Sequence, residues 1–198
     1  MQFVNIHTHR PTLRHIEPSS AGVHPWDADH LNPEEFIGQM EQAEAIGETG
    51  LDFACAVPRH TQTTVFRKQL EIAATMNKPV ILHCVRAFEP IMRILSDYPL
   101  PAVVFHGFIG SEQQARQAIA KGYMLSFGLR SFRSPKTVRA LQATQLQNLF
   151  LETDDDPIGI EDIYAMAAEL KGLTISELQT AILENYKRIF NCDEQQLA

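Results

Sequence analysis

The feature that constrains this chain most is a repeated figure: a short apolar run that ends on a histidine or a carboxylate. Val80-Ile81-Leu82 leads into His83, Val103-Val104-Phe105 into His106 and Ile46-Gly47 into Glu48, while Leu149-Phe150-Leu151 stops shortly before Asp154. A further run from Phe3 ends on His7, with His9 two residues on. Continuous apolar runs suit strands buried on both faces, as in a parallel sheet. The expected strands are Phe3–His7, Ala21–His24, Ala43–Glu48, Val80–His83, Ala102–His106, Met124–Gly128 and Leu149–Asp154.

Segments of helical period lie between them. Residues 62–77 place Phe66, Leu70, Ala73 and Ala74 on one stripe. Residues 111–121 open on Ser111-Glu112-Gln113-Gln114, a capping box, and residues 176–190 follow Thr174-Ile175-Ser176-Glu177, which also reads as a helix start. In the last helix Leu178, Ile182, Tyr186 and Ile189 form the buried face. Alternation of strand and helix along the whole chain implies an α/β fold in one domain, residues 1–198. An open doubly wound sheet and a closed barrel both fit it. Polar residues at the strand ends favour the barrel, because parallel barrels gather the C-terminal ends of their strands on one catalytic rim. Arg10–Ser20 is too short, and too rich in Pro and Ser, for a helix plus a strand. The expectation is therefore a distorted TIM-type (β/α) barrel lacking one β/α unit, with about seven strands.

His7, His9, Glu48, His83, His106 and Asp154 are the candidate metal ligands. Taken singly each has a bland reading: an H-x-H pair arises by chance, and Asp154, next to Asp155 and Asp156, would make a good helix cap. As a set at strand ends they would be a costly cluster of polar groups unless something bound them. A catalytic zinc typically takes three protein ligands plus water. A set this large suits two ions, with Glu48, lying between the histidine groups in sequence, as a bridging carboxylate. Two such ions can activate a water and stabilise a displacement at phosphorus. Imidazole suits Zn or Mn and carboxylate suits Mg, so the sequence leaves the metal open.

Composition narrows the setting. Over 198 residues the hydrophobic content is 44%, the charged content 21% and the formal net charge −7. No apolar run reaches the ~18 residues of a membrane span, and MQFVNIHTHR lacks the pattern of a secretion signal. A cytoplasmic protein, without a membrane association, is expected. The negative charge offers no broad basic face for nonspecific nucleic-acid binding, though bound metals supply positive charge locally. Cys55, Cys84 and Cys192 are too few and scattered for a disulfide framework or a thiolate metal site, and Cys84 should point away from its neighbour His83. Nothing in the sequence points to an obligate protein partner.

These residues resemble the TatD family of metal-dependent deoxyribonucleases. The resemblance rests on His7-Thr8-His9, Gly22-Val23-His24-Pro25-Trp26, Gly47-Glu48-Thr49-Gly50-Leu51-Asp52, Val80-Ile81-Leu82-His83, His106-Gly107-Phe108-Ile109-Gly110, Leu151-Glu152-Thr153-Asp154 and, near the C-terminus, Glu184-Asn185 with Arg188-Ile189-Phe190. It implies a distorted TIM barrel of the amidohydrolase-like kind and a two-metal site. By that resemblance His7, His9 and Asp154 hold one metal, His83 and His106 the second, and Glu48 bridges. Asp154 would also orient or deprotonate the attacking water, which makes Asp154 and Glu48 the catalytic candidates. Three departures stand out: Asn5 replaces the family's usual Asp, the first β/α unit is missing, and so is the long loop after the last ligand, between Asp156 and Glu161.

His24 is not a ligand in that family and reads either as a substrate-phosphate contact or as a structural residue. Arg86 and Arg130, after the strands ending at His83 and Gly128, are candidate phosphate contacts, whereas Arg133 reads as a solvated arginine. His15, His30 and His60 read as surface residues. Trp26 and Phe108 could stack on a base or pack at the rim. The expected function is a phosphodiesterase or deoxyribonuclease with two divalent ions (Mg, Mn or Zn) and a metal-activated water, acting on single-stranded DNA or RNA ends. The alternative is a hydrolase of a small amide, ester or phosphomonoester.

Overall fold

The computed structural model describes residues 2–190; Cys192 lies outside them. The chain divides into two compact units, Pro18–Phe105 and Met1–Glu17 with His106–Ala198. Both are α/β, and within each unit the paired strands run parallel.

In the Pro18–Phe105 unit, β1 (Ser20–Ala21), β2 (Ala45–Asp52), β3 (Val80–Val85) and β4 (Val103–Phe105) are neighbours in that order. They are linked by α1 (Ile37–Gln42), α2 (Arg59–Met76) and α3 (Phe88–Leu95). Phe66, Leu70 and Ala73 of α2 are wholly buried, as the apolar stripe predicts. Burying a Phe or Leu side chain contributes about 1.5–3 kcal/mol. Gln62 and Gln69 share that face. Gln69 accepts from the Val23 N–H (2.6 Å) and donates to the Val23 carbonyl (2.9 Å), and Gln62 does the same for Asp52 (2.8 Å each). The expected strand Ala21–His24 is consequently cut short. Once Gln69 takes the Val23 backbone, β1 ends at Ala21 and His24 caps a 3-10 turn, Pro25–Asp27.

In the other unit, β5 (Met124–Phe127) pairs with β6 (Leu149–Leu151), flanked by α4 (Glu112–Ala120), α5 (Leu129–Phe132), α6 (Pro135–Ala143), α7 (Ile160–Lys171) and α8 (Ile175–Phe190). Both sequence-read helix starts form: Ser111 and Gln114 make a reciprocal capping box, and Glu177 accepts from the Thr174 N–H (2.8 Å) while its own N–H donates to Thr174 Oγ1 (3.2 Å). Asn185 of α8, buried, donates to the carbonyls of Leu146 (2.7 Å) and Leu149 (2.9 Å) and so holds the entry to β6.

Phe3–His7 does not form a named strand. Val4 bridges Ile16 and Thr8 bridges Asp154, while the Ile6 N–H donates to the Leu151 carbonyl. Each side offers only isolated bridges and bonds, so no continuous ladder builds up, and six named strands stand among the described residues where about seven were expected. The short Arg10–Ile16 segment folds over Glu17, whose carboxylate accepts from the N–H groups of Thr12 (2.7 Å) and Leu13 (3.0 Å).

Candidate metal centres

In the Pro18–Phe105 unit, His24, Glu48 and His83 offer ligand atoms that all lie within 4.8 Å of one another. Glu48 comes from β2, where the register against β3 shifts between Ile46 and Thr49, an irregularity of the kind that re-aims a side chain. The strands approach so closely there that a Cβ at Gly50, whose φ is +142°, would collide with the His83 carbonyl oxygen. His83 Nδ1 faces Glu48 Oε2 at 3.5 Å, and its Nε2 faces Asp52 Oδ2 at 3.4 Å. A carboxylate behind the far nitrogen fixes tautomer and ring direction, the usual support of a metal-binding imidazole. Burial works to raise the Asp52 pKa, but donation from the Trp26 indole, the Ala54 N–H and His83 outweighs it and holds the carboxyl below its ordinary value. The His24 ring accepts the Trp26 N–H on Nδ1 (3.2 Å), which in the neutral ring leaves the proton on Nε2. That nitrogen lies 3.7 Å from Glu48 Oε2 and 3.2 Å from His83 Nδ1.

In the other unit, Asp154 Oδ1 lies 3.4 Å from His9 Nε2 and 3.8 Å from His7 Nε2. His106 packs against His7 with ring centroids 4.6 Å apart, and His106, Glu152 and Asp154 also offer ligand atoms within 4.8 Å of one another. Asp154 is held with φ +54°, a left-handed conformation that Asp tolerates better than most residues. Its N–H donates to the His7 carbonyl (3.1 Å) and its carbonyl accepts from the His9 N–H (3.0 Å). Asn5 uses both ends of its amide on Thr153, accepting the backbone N–H (3.0 Å) and donating to Oγ1 (2.9 Å). An Asp in its place could not donate. Glu152, fully buried, faces His106 Nδ1 at 3.3 Å. Burial pushes its pKa up, yet donation from His106 and the fields of His106 and His7 hold it below the ordinary value.

Neither Asp52 nor Glu152 was among the sequence candidates, although Glu152 directly follows the apolar run Leu149-Phe150-Leu151. The remaining candidates are placed as follows. Arg86 stands exposed just past β3, with φ +52°. Arg130 is engaged by the acidic run: Nη2 meets Asp155 Oδ1 at 2.6 Å, with Asp154 Oδ2 at 3.9 Å and Asp156 Oδ2 at 3.8 Å. Burial pushes the Cys84 thiol up to about 12, which keeps it protonated and unlike a metal-binding thiolate. His15, expected at the surface, is instead largely covered, paired with Glu161 at 3.1 Å and set edge-on to Phe3. Imidazole nitrogens and carboxylate oxygens this close suit a divalent ion, so the residues present fit such a group in each unit.

Residues 14–191 match the family model described as TatD related DNase. The chain is 30% identical to the uncharacterized metal-dependent hydrolase YabD of Bacillus subtilis (strain 168), over 87% of this chain and 76% of that protein. It is 29% identical to the 3'-5' ssDNA/RNA exonuclease TatD of Pantoea ananatis, over 87% of this chain and 77% of that one. Its fold matches the crystal structure of YJJV, a TatD homolog from Escherichia coli K12, with a TM-score of 0.80 at 29% identity, covering 88% of this chain and 76% of the other. The α/β fold is thus the TIM-barrel-like one that the resemblance implies.

Proposed function

Because this chain belongs to the TatD family of metal-dependent hydrolases, we propose that it is a phosphodiesterase acting on the ends of single-stranded DNA or RNA with two divalent ions. The observation that carries the reading is the same arrangement in each unit: a histidine–carboxylate group with a second carboxylate, Asp52 or Glu152, behind one of its histidines. The exonuclease name of the Pantoea relative supports the choice of substrate. Bound divalent ions would supply Lewis acidity toward a phosphoryl oxygen and lower the pKa of a water. The chain's own residues then have separable roles. Glu48 and His83 in one unit, and His7, His9, His106 and Asp154 in the other, are the ligand set. Asp154 is the proton acceptor, His24 Nε2–H donates to a non-bridging phosphate oxygen, and Asp52 and Glu152 orient the imidazoles. Arg86 is a phosphate contact. Arg130 serves the same end only when it leaves Asp155.

The net charge of −7 and the acidic clamp on Arg130 favour a second reading, a hydrolase of a small ester, amide or phosphomonoester. One set of assays separates the two. Protein loaded with Mg, Mn or Zn is tested on single-stranded DNA, RNA, an aryl phosphodiester, an aryl phosphomonoester and a carboxylic ester. Cleavage of the phosphodiesters at the highest kcat/KM is expected, with two metal equivalents per chain by elemental analysis. Glu48→Ala should abolish turnover and lower the metal content while circular dichroism stays native. Preference for a small substrate by orders of magnitude would establish the second reading, and full activity in Glu48→Ala would remove that residue from the site.

A further inference from the structure

Among the described residues the exposed large apolar side chains are Leu13, Trp26, Ile109 and Ile175, and only Trp26 carries a ring. It is 58% exposed, yet it is held firmly. Its indole N–H donates to Asp52 Oδ2 at 2.7 Å and its backbone N–H to His24 Nδ1 at 3.2 Å. Its ring stands nearly perpendicular to those of His24 (centroids 4.7 Å apart, 84°) and His83 (6.3 Å, 73°). The oxygen that takes the indole proton also faces His83 Nε2 at 3.4 Å, so a single carboxylate fixes both the ring and a metal-facing imidazole. Phe108, the other aromatic candidate, is buried and packs edge-on against Phe127 at 5.7 Å, which removes it from this role.

A ring whose only polar atom is already satisfied, and more than half of whose surface stays in water beside a polar cluster, is set up to receive a flat apolar partner. We propose that Trp26 is a stacking platform for a nucleobase of the substrate, placed by Asp52 next to the His24–Glu48–His83 group. The inference deepens the phosphodiesterase reading and rests on it. It makes the chain selective for a base next to the scissile phosphate, without a requirement for which base, because every base offers a π-face. Stacking on one aromatic side chain is worth about 5- to 150-fold in affinity per base.

Trp26 is the sole tryptophan, so its emission reports this ring alone. Metal-loaded wild-type protein is mixed in a stopped-flow instrument with a thymidine tetranucleotide or an abasic tetramer of equal charge, and emission is read before turnover. The base-bearing strand should quench it and the abasic strand should not. In steady state, the ratio of kcat/KM for the base-bearing strand to that for the abasic strand should fall at least about 5-fold in Trp26→Ala and return in Trp26→Phe. Cleavage of both strands with equal quenching, or an unchanged ratio in Trp26→Ala, overturns the platform and leaves the phosphodiesterase reading standing. Failure of the wild type to cleave any phosphodiester overturns that reading, and the platform falls with it.

Discussion

Glu152 sits at zero exposure next to His106, and a buried carboxylate is tolerable only where its charge is answered. The answer here is an imidazole proton, which in turn fixes which nitrogen of His106 is left for an ion. Glu152→Gln keeps the shape and removes the charge. We expect its Zn affinity, measured by competition with a chromophoric chelator, to fall about 10- to 100-fold while the thermal midpoint of the metal-free protein changes little. Wild-type affinity in that variant would make Glu152 a packing residue only. At this scale the sequence was legible where a polar residue closes an apolar run, because burial on both faces of a strand leaves few reasons for a histidine or carboxylate there. It was not legible for Asp52 and Glu152. Glu152 follows such a run and Asp52 does not, and nothing in a linear sequence says that their partners are His83 and His106, residues 31 and 46 positions away.

Among the elements, helix α8 shows its start most openly. The backbone N–H and hydroxyl of Thr174 both donate to the Glu177 carboxylate, in that order of effect, and these bonds hold its pKa below the ordinary 4.5. A carboxyl with a lowered folded pKa contributes stability that is complete above its unfolded value and is lost as pH falls through the folded one. The stability difference between wild type and Glu177→Gln, by urea denaturation, should therefore be largest at neutral pH and shrink below about pH 4. A difference that is constant from pH 7 to pH 3 would show that the cap carries no charge effect. The same scale explains what pattern reading missed. Gln62 and Gln69 carry no apolar mark, yet they lie on the buried side of α2 and clip the backbones of Asp52 and Val23. A glutamine's reach hides which face of a helix it serves. The apolar character of the Phe3–His7 run is real, but its pairing is sparse, a bridge to Ile16 on one side and isolated bonds to Leu151 and Asp154 on the other, so it does not become a named strand.

For the whole molecule the governing quantity is charge. At −7 the chain repels a polyanion, so any binding of a nucleic-acid end depends on cations held by the chain. Chelation should consequently do two things together. It should abolish retention of a single-stranded oligonucleotide, read by fluorescence anisotropy, and lower the melting temperature. An ion at a hundred times its Kd stabilises by about 2.7 kcal/mol, which for a chain of this size corresponds to a drop of about 5–10 °C per ion removed. If EDTA left both quantities unchanged, resident metals would not be part of the function. No helix among the described residues is long and apolar enough to cross a membrane.

The loop folded over Glu17 carries one more consequence. Its closure depends on two backbone N–H groups and the Thr12 hydroxyl meeting one carboxylate, and its tip, Leu13, is 91% exposed with φ +60°. A turn clipped at its base in this way is a splice point. Chain added at the tip costs little beyond the slow growth of loop entropy with length. New sequence grafted at position 13 should therefore leave His7 and His9, which lie upstream of the junction, anchored to Asp154.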